Sequence, residues 1–239
     1  MRFLIIGDSW AQGEFHPESY ERRHSLIVHT GITAYLQQAG HDVNNISCPG
    51  DNNLRQLRLA KQELERNSYD QVIWFITEPM RNIYPYSPFP DDRDIWNYEA
   101  NQYSKDDELS YDDMLEDWFT LTFTIAQSIY DQHLIPFFLV GGMSPVHDCI
   151  KNYSFHNGMV RSWGKDITGT YQPHNSPYHT RRFVEDNDAY LNDKRMNREM
   201  QQCLDWEESQ RNSRYFICYH PDRQAHENLT KTILDEINK

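Results

Sequence analysis

The sequence predicts a three-layer α/β fold in which helices cover both faces of a mainly parallel, five-stranded sheet. Short apolar segments alternate along the chain with longer segments of helical periodicity, as a parallel sheet with crossover helices requires. The 239 residues, of which 38% are hydrophobic, can bury one full core. We therefore predict a single domain over residues 1–239, with two long insertions at about 79–108 and 144–212.

Five apolar segments have the length and composition of strands. The first ends at the turn residues Gly7-Asp8-Ser9, and the fourth ends at Gly141-Gly142. The third is predicted to be the central strand. In chain order, the predicted strands cover residues 2–6, 42–47, 70–76, 134–140 and 214–218.

Segments of helical periodicity separate most of these strands. The first predicted helix ends near Gly40, and glycine is common at helix C-termini. The second is amphipathic, and the last follows Pro221-Asp222, where Asp222 is a suitable N-cap. In chain order, the predicted helices cover residues 25–40, 52–66, about 110–132 and 223–238, together with a strongly charged helical segment over 187–212.

A serine stands directly after the first predicted strand, in the sequence Gly7-Asp8-Ser9. Many hydrolases expose a nucleophilic hydroxyl in this way, on a turn at the edge of a sheet. The other interpretation is an ordinary turn rich in Gly, Asp and Ser. The choice between the two depends on a second segment, near the other end of the sequence.

That second segment is Tyr219-His220-Pro221-Asp222, which follows the last predicted strand and opens the final helix. Together the two segments resemble the SGNH/GDSL hydrolase family, which has a flavodoxin-like fold, Gly-Asp-Ser after its first strand and His-Pro near its C-terminus. The resemblance implies that Ser9 is the nucleophile and that His220 is its base. It also implies that the backbone N–H groups of Ser9 and Gly50 donate to the oxyanion, because Gly50 follows the second predicted strand as the family glycine does.

The group that orients His220 is left open by the sequence. Ile217 stands where the family has an aspartate, three residues before the histidine. A backbone carbonyl, a carboxylate from elsewhere or no group at all would take its place. Asp222 is one candidate, although we favour its interpretation as a helix cap. A pair of Asp222 with His226, one helical turn away, is the second alternative.

The side-chain donor for the oxyanion is also open. Thr77 and Glu78 follow the third predicted strand, where the family has Asn-Asp. Thr77 offers a hydroxyl group, and Asn53 or its neighbour Asn52 offers an amide. For the two asparagines, a role in a turn or a helix cap is the ordinary explanation.

The predicted topology brings these candidates together. With right-handed crossovers, parallel strands place their carboxyl ends at one edge of the sheet. Ser9, Gly50, Thr77 and His220 each follow a predicted strand, so we expect all four at that edge.

Composition limits the classes of partner and cofactor. The 23 basic and 36 acidic residues leave a formal charge of −13, which disfavours binding to nucleic acid or to an anionic membrane. The first apolar run is too short for a signal peptide or a membrane span, so we expect a cytoplasmic protein. Four cysteines without a CxxC pair are expected to be free thiols, and eleven histidines without HExxH spacing predict no metal site. The hydrolase chemistry that the resemblance implies needs no organic cofactor.

The two insertions have different compositions. The first, about 79–108, is rich in Tyr, Pro, Trp and acidic residues, and it either walls a pocket for sugar rings or acyl chains or packs its own aromatic side chains. The second, about 144–212, contains the charged helical segment, which we predict to be either solvated or a contact surface for another subunit.

These observations predict a serine ester hydrolase that acts on a small-molecule or carbohydrate ester, with O-acylated carbohydrate as one candidate substrate. Transfer of the acyl group to a sugar hydroxyl instead of water is an alternative, because the two reactions differ mainly in the second nucleophile. A binding or structural protein with a weakened site is the other alternative. The residues Ile217 and Thr77 favour it, whereas Ser9 with His220 favours an enzyme.

Overall fold

The computed structural model describes residues 1–16, 27–82, 111–186, 194–217 and 219–239. The predictions for residues 83–110, which include most of the first insertion, lie outside the described residues, as do those for residues 187–193. The strands are β1 (Arg2–Ile6), β2 (Glu14–Phe15), β3 (Ile27–His29), β4 (Asp42–Asn45), β5 (Gln71–Ile76), β6 (Phe137–Gly141), β7 (His156–Val160), β8 (Phe216–Ile217) and β9 (His220–Pro221).

The described helices lie between these strands or follow them. They are α1 (Ser9–Gln12), α2 (Ile32–Gln38), α3 (Asn53–Leu64), α4 (Tyr111–His133), α5 (Trp163–Thr168), α6 (Pro177–Asp186), α7 (Lys194–Asn212) and α8 (Arg223–Ile237). Short 3-10 helices occupy Pro79–Asn82 and Asp148–Asn152. None of the helices in the described ranges combines the length and the apolar character needed to cross a membrane.

The central sheet has five parallel strands in the order β4-β1-β5-β6-β7, which confirms the predicted fold class. Successive side chains of each strand point to opposite faces of the sheet. In β1, Leu4 and Ile6 pack with α3 and α4 on one face, whereas Phe3 and Ile5 pack with α1, α2 and α8 on the other. Both faces are thus covered, and every residue of β5 is buried.

The prediction of a fifth sheet strand over 214–218 is wrong. Phe216–Ile217 instead pairs antiparallel with His220–Pro221 in a separate hairpin, and Phe216 packs its ring on Trp10. The fifth strand of the sheet is His156–Val160, inside the segment predicted as the second insertion. This edge strand pairs on one side only and begins with His, Asn and Gly, so it lacks the apolar run that marks the inner strands.

Two predicted helices differ from the structure. The helix predicted over 25–40 begins at Ile32, because Ile27–His29 forms an antiparallel pair with Glu14–Phe15. The charged helix, described from Lys194 onwards, is not solvated all round. Its buried residues recur at helical spacing and pack inside the chain; they are Met196, Cys203, Trp206 and Gln210.

Candidate active site

Ser9 lies at the carboxyl edge of the sheet, as the first residue of α1. Gly7 makes the turn from β1 possible, since a Cβ there would lie 2.6 Å from the Cβ of Ala11. Asp8 caps α1 by accepting a hydrogen bond from the Trp10 N–H to its Oδ1 atom at 3.0 Å. Ser9 is 6% exposed, and its Oγ has no hydrogen-bond partner among the residues that the structure describes.

His220 lies on the hairpin of β8 and β9, next to this turn. Tyr219, which precedes it, has a positive φ of 62°, a conformation that few residues other than glycine adopt. The indole Nε1 of Trp10 donates to the carbonyl oxygen of Tyr219 at 3.1 Å. The His220 ring packs on Phe15, with 4.4 Å between centroids. The hydrogen bond from Trp10 to Tyr219 thus joins the residue after Ser9 to the residue before His220.

Asp222 lies two residues further on and caps α8. Its Oδ1 accepts from the N–H of Ala225 at 2.8 Å, and its carbonyl oxygen accepts from the N–H of His226. The side chain of Asp222 bonds neither His220 nor His226, so the structure does not bring it to the imidazole as an orienting group. Burial lowers the pKa of His226 to about 3, which keeps that ring neutral.

Gly50 lies in the turn after β4, with a φ of +72° that favours glycine. Two backbone hydrogen bonds fix this turn. The N–H of Cys48 donates to the carbonyl oxygen of Gly7 at 3.1 Å, and the N–H of Asp51 donates to that of Cys48 at 3.2 Å. The first bond ties the Gly50 turn to the Ser9 turn.

Thr77 and Asn53 also lie at this edge, but their side-chain hydrogen-bond donors already bond other groups of the protein. The Thr77 hydroxyl donates to Oδ2 of Asp8 at 2.7 Å. Asn53 accepts from the Thr77 N–H at 3.0 Å and donates through Nδ2 to the Thr77 carbonyl oxygen at 2.9 Å. Both side chains are buried. In this structure they connect the turns that follow β1, β4 and β5.

A buried charged cluster adjoins the site, and sequence reasoning missed it. The guanidinium of Arg81 donates through Nη1 to Oδ2 of Asp8 at 2.9 Å and through Nε to Oε2 of Glu78 at 2.8 Å. Nδ1 of His179 lies 3.1 Å from the same Glu78 oxygen. All four residues are less than 5% exposed. In the sequence, this cluster is indicated only by the segment that directly follows β5, from Thr77 to Arg81, which contains both Glu78 and Arg81.

The pKa values of the two carboxylates in this cluster shift in opposite directions. Burial alone would raise the pKa of Glu78, but the charges of His179 and Arg81 hold it well below its ordinary value. Burial raises the pKa of Asp8, and the attraction of Arg81 and the hydrogen bond from Thr77 only partly oppose that rise. Glu78 is therefore ionised at neutral pH and pairs with the Arg81 guanidinium.

A cavity of about 420 Å³ opens beside these residues, a volume suited to a small organic ligand. Trp10 and Tyr219 connect its wall to the Ser9 turn and the His220 hairpin. The remaining wall combines aromatic, sulfur and charged side chains, among them Glu78, Arg81, Met143, Tyr178, Arg181 and Trp206. Among the described residues, no group of three or more His, Cys, Asp or Glu side chains is arranged to hold a metal ion.

The chain thus has an α/β fold with a mostly parallel five-stranded sheet and a polar site at its carboxyl edge. No protein-family model and no curated protein sequence matches it. Solved structures similar to this chain include the psychrotrophic esterase EstA from Pseudoalteromonas sp. inhibited by monoethylphosphonate, at 13% identity over 99% of this chain and 96% of that chain, with a TM-score of 0.49.

Two further similar structures are TesA and a catalytic mutant of the acetylxylan esterase Axe2 from Geobacillus stearothermophilus. TesA is 13% identical over 86% of this chain and 97% of its own, with a TM-score of 0.44. The Axe2 mutant is 14% identical over 100% of this chain and 94% of its own, with a TM-score of 0.42.

Proposed function

We propose that this chain is a serine ester hydrolase in which Ser9 is the nucleophile and His220 the general base. The observation that carries the proposal is the hydrogen bond from Trp10 to Tyr219, because it holds the serine turn against the histidine hairpin. A serine hydroxyl is a weak nucleophile at neutral pH and needs a base within about 3 Å during the reaction.

The proposed reaction follows the order of acyl transfer through an acyl-enzyme. Ser9 Oγ attacks the ester carbonyl carbon while His220 takes the hydroxyl proton, and a tetrahedral oxyanion forms. The carbon–oxygen bond to the alcohol then breaks, and His220 gives its proton to the departing alcohol oxygen. Water, deprotonated by His220, then attacks the acyl carbon of the acyl-enzyme. The bond from that carbon to Ser9 Oγ breaks, the acid is released, and His220 returns the proton to Ser9 Oγ.

The backbone N–H groups of Ser9 and Gly50 are the proposed oxyanion donors. The bond between Cys48 and Gly7 supports this assignment, since it brings the two turns side by side. Thr77 and Asn53 already bond other groups, so we propose that they hold the donors in place rather than supply them.

The proposed substrate is a small-molecule ester, and an O-acylated carbohydrate fits the cavity chemistry. Trp10, Trp206 and Tyr178 give the wall aromatic surface, on which the apolar face of a sugar ring can pack. Arg181 adds donors for hydroxyl or carbonyl oxygens.

A fluorophosphonate probe tests the proposal, because it forms a bond to an activated serine oxygen with loss of fluoride. We expect the folded wild type to be labelled and the Ser9→Ala and His220→Ala variants to stay unlabelled. Ser68→Ala is the matched control, since Ser68 is exposed and follows α3 at the opposite edge of the sheet. A wild type that stays unlabelled and hydrolyses no short-chain ester would refute the proposal.

A binding protein of the same fold is the second candidate. It is favoured by the lack of a hydrogen bond to Ser9 Oγ among the described residues and by the capping role of Asp222. Sugar binding that survives in Ser9→Ala, without labelling of the wild type, would support it. Acyl transfer is separated from hydrolysis by adding a sugar acceptor and analysing whether acylated sugar or free acid is formed.

A further inference from the structure

The guanidinium of Arg81 lies between the two turns that carry the proposed oxyanion donors. Its Nη1 atom donates to Oδ2 of Asp8, the residue before Ser9, at 2.9 Å. The same atom donates to the carbonyl oxygen of Asp51, the residue after Gly50, at 3.4 Å. One positively charged group therefore bonds both turns, each time one residue away from a proposed donor.

The position of this charge is fixed. Arg81 is 4% exposed, and Glu78 accepts from its Nε at 2.8 Å. Glu78 is held in turn by His179 at 3.1 Å and by the N–H of Ser176 at 2.5 Å. A buried guanidinium with several partners has little rotational freedom, so its field at the site is preorganised.

The guanidinium also reaches the wall of the cavity. Nη2 of Arg81 donates to Sδ of Met143 at 2.8 Å, and both residues line the 420 Å³ cavity together with Trp10. A thioether sulfur is a weak acceptor, and an anionic oxygen is a much stronger one. A ligand oxygen at this wall would therefore be the preferred partner of Nη2.

We propose that Arg81 is a catalytic residue that stabilises the oxyanion. The inference rests on the proposed ester hydrolysis by Ser9. The tetrahedral intermediate carries a full negative charge, and the Thr77 and Asn53 donors are committed to Asp8 and to the Thr77 backbone. A guanidinium bonded to the residues next to the two backbone donors can supply a charge-assisted hydrogen bond that strengthens as the negative charge develops.

The test compares Arg81→Gln with the wild type, using a short-chain p-nitrophenyl ester and phenylboronic acid, which forms an anionic tetrahedral adduct with an active serine. We expect kcat to fall about 100- to 1,000-fold with little change in KM, as for the loss of one oxyanion donor. The affinity for the boronate should fall by a similar factor. Arg66→Gln is the control, because Arg66 is an exposed arginine beyond the far end of α3.

Two results would overturn the inference. One is a kcat within about threefold of the wild type, and the other is a loss of kcat with unchanged affinity for the boronate, which would assign Arg81 a merely structural role. If Arg81→Gln does not fold, the double variant Asp8→Asn/Arg81→Gln removes both members of the ion pair and is compared with Asp8→Asn alone. The kcat and the boronate affinity of these two variants are then compared in the same way.

The wild-type controls separate this inference from the proposed function. If the wild type is neither labelled by the fluorophosphonate nor active on esters, the hydrolase proposal fails, and the role of Arg81 fails with it. If the wild type is labelled and active while the Arg81 variants match it, only the role of Arg81 fails.

Discussion

Trp10 and Tyr219 are 209 positions apart in the sequence, yet the indole N–H of Trp10 bonds the carbonyl oxygen of Tyr219 at 3.1 Å. The donor follows the proposed nucleophile, and the acceptor precedes the proposed base. This one contact links the two parts of the site that must cooperate in proton transfer.

Replacing Trp10 by Phe should weaken both the site and the fold. The loss of the hydrogen bond to Tyr219 should lower the free energy of unfolding by about 1 kcal/mol beyond the packing loss. Misplacement of His220 should reduce kcat by about 10- to 100-fold. Urea unfolding and ester turnover measure the two effects.

Trp163→Phe is the matched control, since Trp163 packs edge-on against Trp10 and forms no bond to the hairpin. Its turnover should stay near the wild-type value. Equal losses of turnover in the two variants would show that the hydrogen bond has no special part in the site.

Gly50→Ala should lower turnover, because the left-handed backbone that aims the Gly50 N–H is strained for alanine. The strain amounts to about 1 to 2 kcal/mol, and relaxation of the turn would move the N–H away from the oxyanion. Gly40 provides the control, with a similar φ of +86° and no atom within 4 Å of an added Cβ. Both variants should lose stability in thermal unfolding, but only Gly50→Ala should lose kcat. Unchanged kcat in Gly50→Ala would argue against the donor role.

Glu78→Gln should destabilise the chain strongly at neutral pH, by about 3 to 5 kcal/mol, because Arg81 and His179 lose their shared carboxylate. The folded-state pKa of Glu78 lies below its ordinary value of 4.5, so its ionisation stabilises the fold above that pH. This contribution is lost as the pH falls from 4.5 towards the folded-state pKa.

Urea titrations at several pH values check this prediction. The difference in unfolding free energy between wild type and Glu78→Gln should be largest near pH 7 and should shrink below about pH 4.5. A difference that is constant with pH would show that the carboxylate charge is not the stabilising feature.

His226 should contribute to acid unfolding. Its folded-state pKa is about 3, against an ordinary value of 6.5, so the unfolded chain binds a proton that the folded chain excludes between these values. The wild type should lose up to about 1.4 kcal/mol per pH unit through this residue as the pH falls below 6.5. His226→Gln should reduce that slope in urea titrations from pH 7 to pH 4. An unaltered slope would contradict the assignment.

The inner strands of the sheet could be predicted because each is an apolar run buried on both faces. β5, for example, is recognisable from Val72 to Ile76. The edge strand His156–Val160 could not be predicted, since it is half exposed and contains Asn and Gly. The segment 214–218 has the apolar composition of a sheet strand, but Phe216 packs its ring on Trp10 and Trp206 instead.

Within the site, the local motifs were visible in the sequence and the long-range pairs were not. Ser9 and His220 belong to recognisable segments, and the structure places both segments at the carboxyl edge of the sheet. The partner of Asp8 is Arg81, 73 positions away, and no local pattern connects them. Nor does spacing reveal that Asn53 bonds both backbone groups of Thr77.

The hairpin that carries His220 pairs with no strand of the central sheet and has only two residues in each arm. Few backbone hydrogen bonds therefore have to break for it to open, whereas β1, before Ser9, is bonded on both sides. Amide hydrogens of the hairpin should exchange with solvent through local opening, and those of β1 only through global unfolding. Hydrogen exchange is thus expected to be faster in the hairpin that carries the proposed base than in the strand beneath the proposed nucleophile.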